Sequence, residues 1–313
     1  MSLAVLPARE DVEAARELIG SAVRRTPVVE VAGDELGVDG RVFLKLELLQ
    51  HTGSFKARGA MNNVRSLPDG TAGVAAASGG NHGAAVAWAA ARAGLAADVF
   101  APAAATPAKL ERIEAYGARL HRVDGHVGDA LDACRVHSRR HGMPVVHPYD
   151  TFATVAGAGT LGLEVEEQVP GADRLLLACG GGGLYAGVAT ALHGVMPVQP
   201  IEPALCAHLH DALAAGQPVD RPAEGVAADA LGPPRIGDHA YAVAKVEGTT
   251  SLLVDEDVIL AARRWLWDRL RVLAEPAASV PIAAVLSGVA PVAAGETVVV
   301  VVSGGNNATL PAT

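Results

Sequence analysis

Four glycine-marked segments, 53–59, 78–83, 180–183 and 303–305, each follow an apolar stretch that reads as a β-strand. Strands are expected at 28–31, 41–47, 74–77, 96–100, 120–123, 175–178, 198–202 and 297–302. Between and beyond them lie helical patterns at 11–23, 52–65, 84–93, 107–116, 128–141, 151–169, 184–193, 205–215, 258–273 and 277–286. Asp255 is a plausible N-cap for the helix near 258, and 216–237 reads as loops around one short helix. Strands alternating with helices predict parallel sheets covered on both faces, and the five valines of 297–302 fit a central strand. Ligands of open parallel sheets bind beyond the carboxyl ends of the strands, so the four glycine segments can converge on one crevice. Two belong to each half of the chain, which sets that crevice between two α/β domains.

Composition narrows the function. The 313 residues are 50% hydrophobic, enough for two sizeable cores. Lys and Arg number 25 against 34 for Asp and Glu, a net charge of -9, and no basic stripe offers a nucleic-acid surface. The three cysteines, Cys134, Cys179 and Cys206, are odd in number, widely spaced and set among apolar residues. Buried free thiols are expected rather than disulfides or a Cys-x-x-Cys metal site. No apolar run approaches the roughly 18 residues of a membrane span, and the start M-S-L-A-V-L-P-A-R-E-D has no basic leader region. A cytoplasmic enzyme acting on a small molecule is the expectation, with neither nucleic acid nor membrane as partner.

Lys56 is one of only four lysines, with Lys45, Lys109 and Lys245, and its flanks are Ser54, Phe55 and Gly59 rather than charges. On its own segment it also reads as a solvated lysine at a helix start. Withdrawn from water it would lose pKa, and a neutral amine is the nucleophile for a Schiff base. Gly180–183 between strand and helix can curl bare backbone N–H groups around a phosphate, with the helix dipole behind them. It is neither a G-x-G-x-x-G fingerprint nor a triphosphate loop, and alone it reads equally as a flexible turn. Lysine and nest together point to pyridoxal phosphate.

S-F-K-A-R-G (54–59), S-G-G-N-H-G (78–83), G-G-G-G-L (180–184), I-E-P (201–203), E-P-A-A (275–278) and S-G-G-N (303–306) occur in the order found in pyridoxal-phosphate enzymes of the tryptophan-synthase-β fold type. Across residues 10–307 the chain resembles the serine/threonine dehydratase and serine racemase group. The resemblance implies two open, twisted, parallel-sheet α/β domains with the cofactor in the cleft between them. The expected division is 1–47 with 149–313 as the larger, cofactor-anchoring domain and 48–148 as the smaller, substrate-side domain.

Carried over residue by residue, the resemblance implies that Lys56 bonds the cofactor and serves as base, while Phe55 packs beside it. Asn81 would bond the ring's phenolic oxygen, Gly180, Gly181, Gly182, Gly183 and the Leu184 amide the phosphate, and Ser303 the pyridine nitrogen. Gly225 would lie near the cofactor, preceded by Glu224 where the family has Asp. Ser78, Gly79, Asn81 and His82 would surround the substrate carboxylate, with His82 mainly structural. A hydroxyl at 303 does not keep the pyridine nitrogen protonated, which favours prompt β-elimination over transamination.

The implied reaction is dehydration and deamination of L-threonine or L-serine to a 2-keto acid and ammonia by a homodimer. A 3-hydroxyaspartate dehydratase, a racemase, a β-replacement synthase and a silent relative are the alternatives. Glycine at 79, where racemases of the group carry a proton-donating serine, argues against racemisation. S-G-G-N-H argues against β-replacement. The family's cation site would use Glu202 and the Cys206 backbone carbonyl. His208 stands there in place of an Asp and is a poor ligand for Mg²⁺ or Ca²⁺. We expect it to be a partly exposed helix residue, leaving either no divalent ion or a monovalent ion held by carbonyls. The last motif ends seven residues before the end of the sequence, so no regulatory extension is expected.

Overall fold

The computed structural model describes residues 5–306 and 309–311; Asn307, the last residue of the stretch 10–307 over which the resemblance runs, lies outside them. Among the described residues nine strands build two sheets. The first contains β1 (Val28–Val31), β2 (Arg41–Lys45), β6 (Arg174–Ala178), β7 (Val198–Pro203), β8 (Leu252–Val254) and β9 (Thr297–Val301), in the order β1-β2-β9-β6-β7-β8. The second contains β3 (Gly73–Ala77), β4 (Ala96–Pro102) and β5 (Arg119–Val123), all parallel and in sequence order.

Within the larger sheet every pairing is parallel except one. The short excursion 32–40 turns the chain back, and β1 pairs antiparallel with β2, Val29 opposite Leu44. β9 is central, flanked by β2 and β6, with Val300 beside both Leu44 and Leu176. Val298 to Val301 are all fully buried, because side chains alternate into two separate cores. Val300 and Leu176 meet the helices Glu256–Leu270 and Pro276–Leu286. Val299, Leu175 and Leu177 meet Phe152–Gln168 and Gly183–Ala191. A third core fills the small sheet around Val74, Val99 and Ile113.

The helix Phe152–Gln168 joins the two halves. It lies against Gly183–Ala191 on one side and Lys56–Arg65 on the other. Both contacts are glycine-close: a Cβ on Gly187 would lie 2.2 Å from the Val155 oxygen, and one on Gly157 would lie 2.7 Å from the Asn62 Cβ. Two helices whose first turns face the crevice are thereby locked to a common partner.

Asp255 precedes the helix Glu256–Leu270, but its side chain makes no capping bond. The helix expected from 205 begins at His208, after the 3₁₀ turn Ala204–Cys206. All three cysteines are free and buried. No helix of the described residues is long and apolar enough to cross a membrane.

Candidate functional site

The lysine segment is stitched to the loop after β9. Ser54 bridges Gly304, the Phe55 N–H donates to the Ser303 carbonyl at 3.1 Å and the Gly305 N–H to that of Gly53 at 3.0 Å. Asn306 Nδ2 donates to the Thr52 carbonyl at 2.8 Å. Thr52 has φ +63° and ψ 8°, a left-handed conformation that is strained for a β-branched residue. The Thr52 and Ser54 hydroxyls are buried without partners.

Lys56 opens the helix Lys56–Arg65 and keeps part of its surface toward the crevice, while protein surrounds its amine. Nζ donates to the Pro148 carbonyl at 2.6 Å and lies 4.9 Å from the Phe55 ring centre. No carboxylate pairs with it among the described residues. Desolvation pushes its pKa down to about 8, against the opposing charge of Glu275. Roughly a tenth of the amine is then neutral at pH 7. Nearby, desolvation reinforced by the Lys56 charge holds His82 at about 3. His147 is lowered to about 4, chiefly by desolvation. Both imidazoles stay neutral. His82 Nε2 lies 2.8 Å from the Val146 carbonyl, and the residue is buried.

The glycine loop has no room for side chains. A Cβ would lie 2.8 Å from Leu231 at Gly180, 2.4 Å from the Tyr149 ring at Gly181, 2.2 Å from the Ala240 Cβ at Gly182 and 2.6 Å from the Tyr149 oxygen at Gly183. Gly182 is also left-handed, φ +84°. The helix Gly183–Ala191 starts at once, carrying Leu184 in its first turn, so bare amides and a helix terminus face the same place.

On the opposite wall Asn81 begins the helix Asn81–Arg92. Its Nδ2 donates to both Glu275 oxygens, at 2.9 and 3.1 Å, and its Oδ1 accepts from Asn306 Nδ2 at 2.7 Å. Burial raises the pKa of Glu275, against the stabilising Asn81 bond. A Cβ on Gly304 would meet the Glu275 carboxylate at 2.4 Å. Before that helix, the Ser78 hydroxyl accepts from the Gly80 N–H at 3.2 Å, and a Cβ on Gly79 would lie 2.7 Å from the Ala105 Cβ. Ser303 is 6% exposed beside this network. Gly225, φ +87°, packs against the Glu256 carboxylate.

The cation expectation changes most. Glu202 is fully buried, and its oxygens accept from the N–H groups of Leu209 and His210 at 2.8 and 2.9 Å, capping the helix His208–Ala215. The Cys206 thiol donates to the Glu224 carbonyl at 3.1 Å. His208 is not partly exposed: it is fully buried, close to Arg221 and the Leu231 backbone. Its cover is the loop beyond residue 216, which folds back so that Arg221 reaches the Ala204 carbonyl at 3.0 Å and Glu224 N–H that of Leu205 at 3.3 Å. Among the described residues no group of three or more His, Cys, Asp or Glu is arranged to hold a metal ion.

Two parts of the site had no role in the sequence reading: Glu275, quoted only as part of a motif, and the segment 147–150. The faint signal for the latter is a cluster of His, Pro, Tyr and Asp closing the apolar stretch 143–146. The residues present fit pyridoxal phosphate: an amine of lowered pKa, bonded to the Pro148 carbonyl, lies next to a side-chain-free amide nest that packs on Tyr149.

A family model described as pyridoxal-phosphate dependent enzyme matches residues 19–304. The phenylserine dehydratase of Ralstonia pickettii is 35% identical over 306 residues, 96% of this chain and 94% of that protein. A catabolic L-threonine dehydratase of Staphylococcus aureus is 34% identical over 284 residues, 89% of this chain and 82% of the relative. Among solved structures, maize serine racemase superposes with a TM-score of 0.91 at 30% identity, covering 97% of this chain and 94% of that one.

Proposed function

The chain belongs to the pyridoxal-phosphate-dependent enzyme family, a lyase with dehydratase relatives, and from that premise we propose that it deaminates a β-hydroxy amino acid, L-threonine or L-serine, by losing water and then taking it up again as ammonia leaves. The observation that carries this reading is the enclosed Lys56 amine, lowered to about 8 and held by a carbonyl instead of an acid. A lysine paired with a carboxylate would be held more firmly in its charged form.

Pyridoxal phosphate, when bound, supplies the covalent attachment for the substrate amine and an electron sink for the Cα carbanion. The Gly180–Gly183 and Leu184 amides would hold the phosphate, the Ser303 hydroxyl would serve the pyridine nitrogen, and Phe55 would flank the ring. Asn81, whose amide nitrogen lies on Glu275 and whose oxygen accepts from Asn306, would have to turn a donor away from Glu275 to meet the phenolic oxygen. The turn 78–82 and the first amides of the helix Asn81–Arg92 orient the substrate carboxylate. Lys56 takes the Cα proton. The β-hydroxyl leaves as water with that proton, passed on from Lys56, and the released enamine takes up water to give the 2-keto acid and ammonia.

A second reading has its own support. The 35% identity to a phenylserine dehydratase spans nearly the whole chain. On that similarity a β-aryl substrate is the alternative, with 3-hydroxyaspartate as a further candidate. The proposed enzyme works as a cytoplasmic homodimer on a free amino acid.

Keto-acid formation from L-threonine, L-serine, phenylserine and both 3-hydroxyaspartate diastereomers tests the proposal. Threonine or serine should turn over best, and Lys56→Ala should reduce the rate by at least about 10²–10⁴-fold. Failure of all these substrates with cofactor bound would overturn it, and a clear phenylserine preference would select the second reading.

A further inference from the structure

The four residues 147–150 form a strap touching several parts of the site at once. Pro148 offers its carbonyl to Lys56 Nζ at 2.6 Å. The Tyr149 ring lies where a Cβ on Gly181 would be, and its backbone lies where one on Gly183 would be. The strap itself is fastened by His147, whose Nδ1 accepts from the Asp150 N–H at 2.9 Å.

Asp150 reaches further, to the first turn of the helix Asp238–Glu247. Its Oδ1 accepts from the His239 N–H at 3.1 Å and lies 2.7 Å from His239 Nδ1, while Oδ2 accepts from the Asp238 N–H at 3.1 Å. Burial alone would raise its pKa, but the bonds from the His239 side chain and from the two backbone N–H groups hold it at about 2. The same helix start carries the glycine loop. The Gly237 N–H donates to the Gly181 carbonyl at 3.1 Å, and Ala240 and Ile236 wall Gly182 so closely that a Cβ there would meet them at 2.2 and 2.9 Å. A carboxylate that fixes this helix start therefore fixes one side of the nest, and Tyr149 fixes the other.

We propose that Asp150 is a positioning residue for the phosphate: by holding the first turn of the helix Asp238–Glu247, it sets where the loop Gly180–Gly183 directs its amides, on the reading of that loop as the phosphate site. Asp150 touches neither the lysine amine nor the loop amides, so its effect should be confined to ligands that carry a phosphate.

The test compares two probes on the full chain freed of cofactor, titrated with pyridoxal phosphate and with pyridoxal while the lysine adduct is followed by absorbance. Pyridoxal engages Lys56 without the phosphate, so the ratio of the two dissociation constants isolates the nest. Wild type should favour the phosphate ester by at least about 100-fold, since several charge-assisted bonds are at stake. Asp150→Asn should lower that ratio by about tenfold while leaving pyridoxal binding within about twofold. His239→Gln, which keeps the carboxylate on the two backbone amides, should lower it by about threefold, and it stands as the second variant if Asp150→Asn does not fold. An unchanged ratio in the folded variants, or equal weakening of both probes, would overturn the inference and leave Asp150 part of the scaffold. A wild type that does not distinguish the probes would instead remove the phosphate reading of the glycine loop, and this inference with it.

Discussion

The Lys56 amine donates to the Pro148 carbonyl at 2.6 Å, and no carboxylate among the described residues neutralises it. Its folded pKa of about 8 lies below the ordinary value of 10.5. Between those values the unfolded chain binds more protons than the folded one, so this group's stability contribution is present above pH 10.5 and lost as pH falls through 8. Lys56→Met should therefore stabilise the cofactor-free chain below pH 8, by on the order of 2–3 kcal/mol. The advantage should shrink steadily toward pH 10.5. Urea denaturation of both proteins across this range checks it, and a pH-independent difference would refute the desolvation of the amine.

Lys45 is the contrasting lysine. It is fully buried, 2.6 Å from Glu164, and also donates to the Thr26 carbonyl and Gln168. Arg58 joins Glu164 to Glu47, so two positive and two negative groups form one enclosed network behind the lysine helix. Lys45→Met should destabilise by about 3–5 kcal/mol, because it strips one counter-charge from a largely buried carboxylate. The surviving folded enzyme should keep kcat within a few-fold. Denaturation and steady-state kinetics measured together separate the two effects.

Gly79 faces Ala105 with no space between them. Wild type should form little D-serine from L-serine relative to pyruvate, since no hydroxyl stands at 79 to protonate the carbanion. Gly79→Ser should be destabilised by about 1–3 kcal/mol through overpacking, and Ala105→Gly should recover most of that loss. Chiral analysis of the products and melting of the single and double variants test both statements.

Activity should not depend on added Mg²⁺. The Glu202 carboxylate is committed to two backbone N–H groups, and His208 supplies imidazole where a hard cation needs oxygen. After exhaustive chelation, restoring Mg²⁺ and K⁺ separately should show no Mg²⁺-specific recovery. A strong Mg²⁺-specific rescue would contradict this.

Much of this arrangement is legible in the sequence because it is local. The valine run of 297–302 and the glycines after it declare a central strand and its loop, and the flanks of Lys56 single it out among four lysines. What the sequence conceals depends on distant segments. The direction of β1 is set by the excursion 32–40, and β8 has only three residues in which to display a pattern. His208 looks like a surface residue beside His210 and Asp211 until the following loop covers it. The strap 147–150 acquires its meaning only where Tyr149 and Asp150 meet residues 181–183 and 237–240, and Glu275 only when Asn81, far earlier in the chain, reaches it.

Borohydride reduction of the resting holoenzyme, followed by peptide mapping, tests the central claim most directly. The account predicts a single pyridoxyl label on Lys56, lost in Lys56→Ala and retained in Lys45→Met. Recovery of that label on Lys45, Lys109 or Lys245 would contradict it.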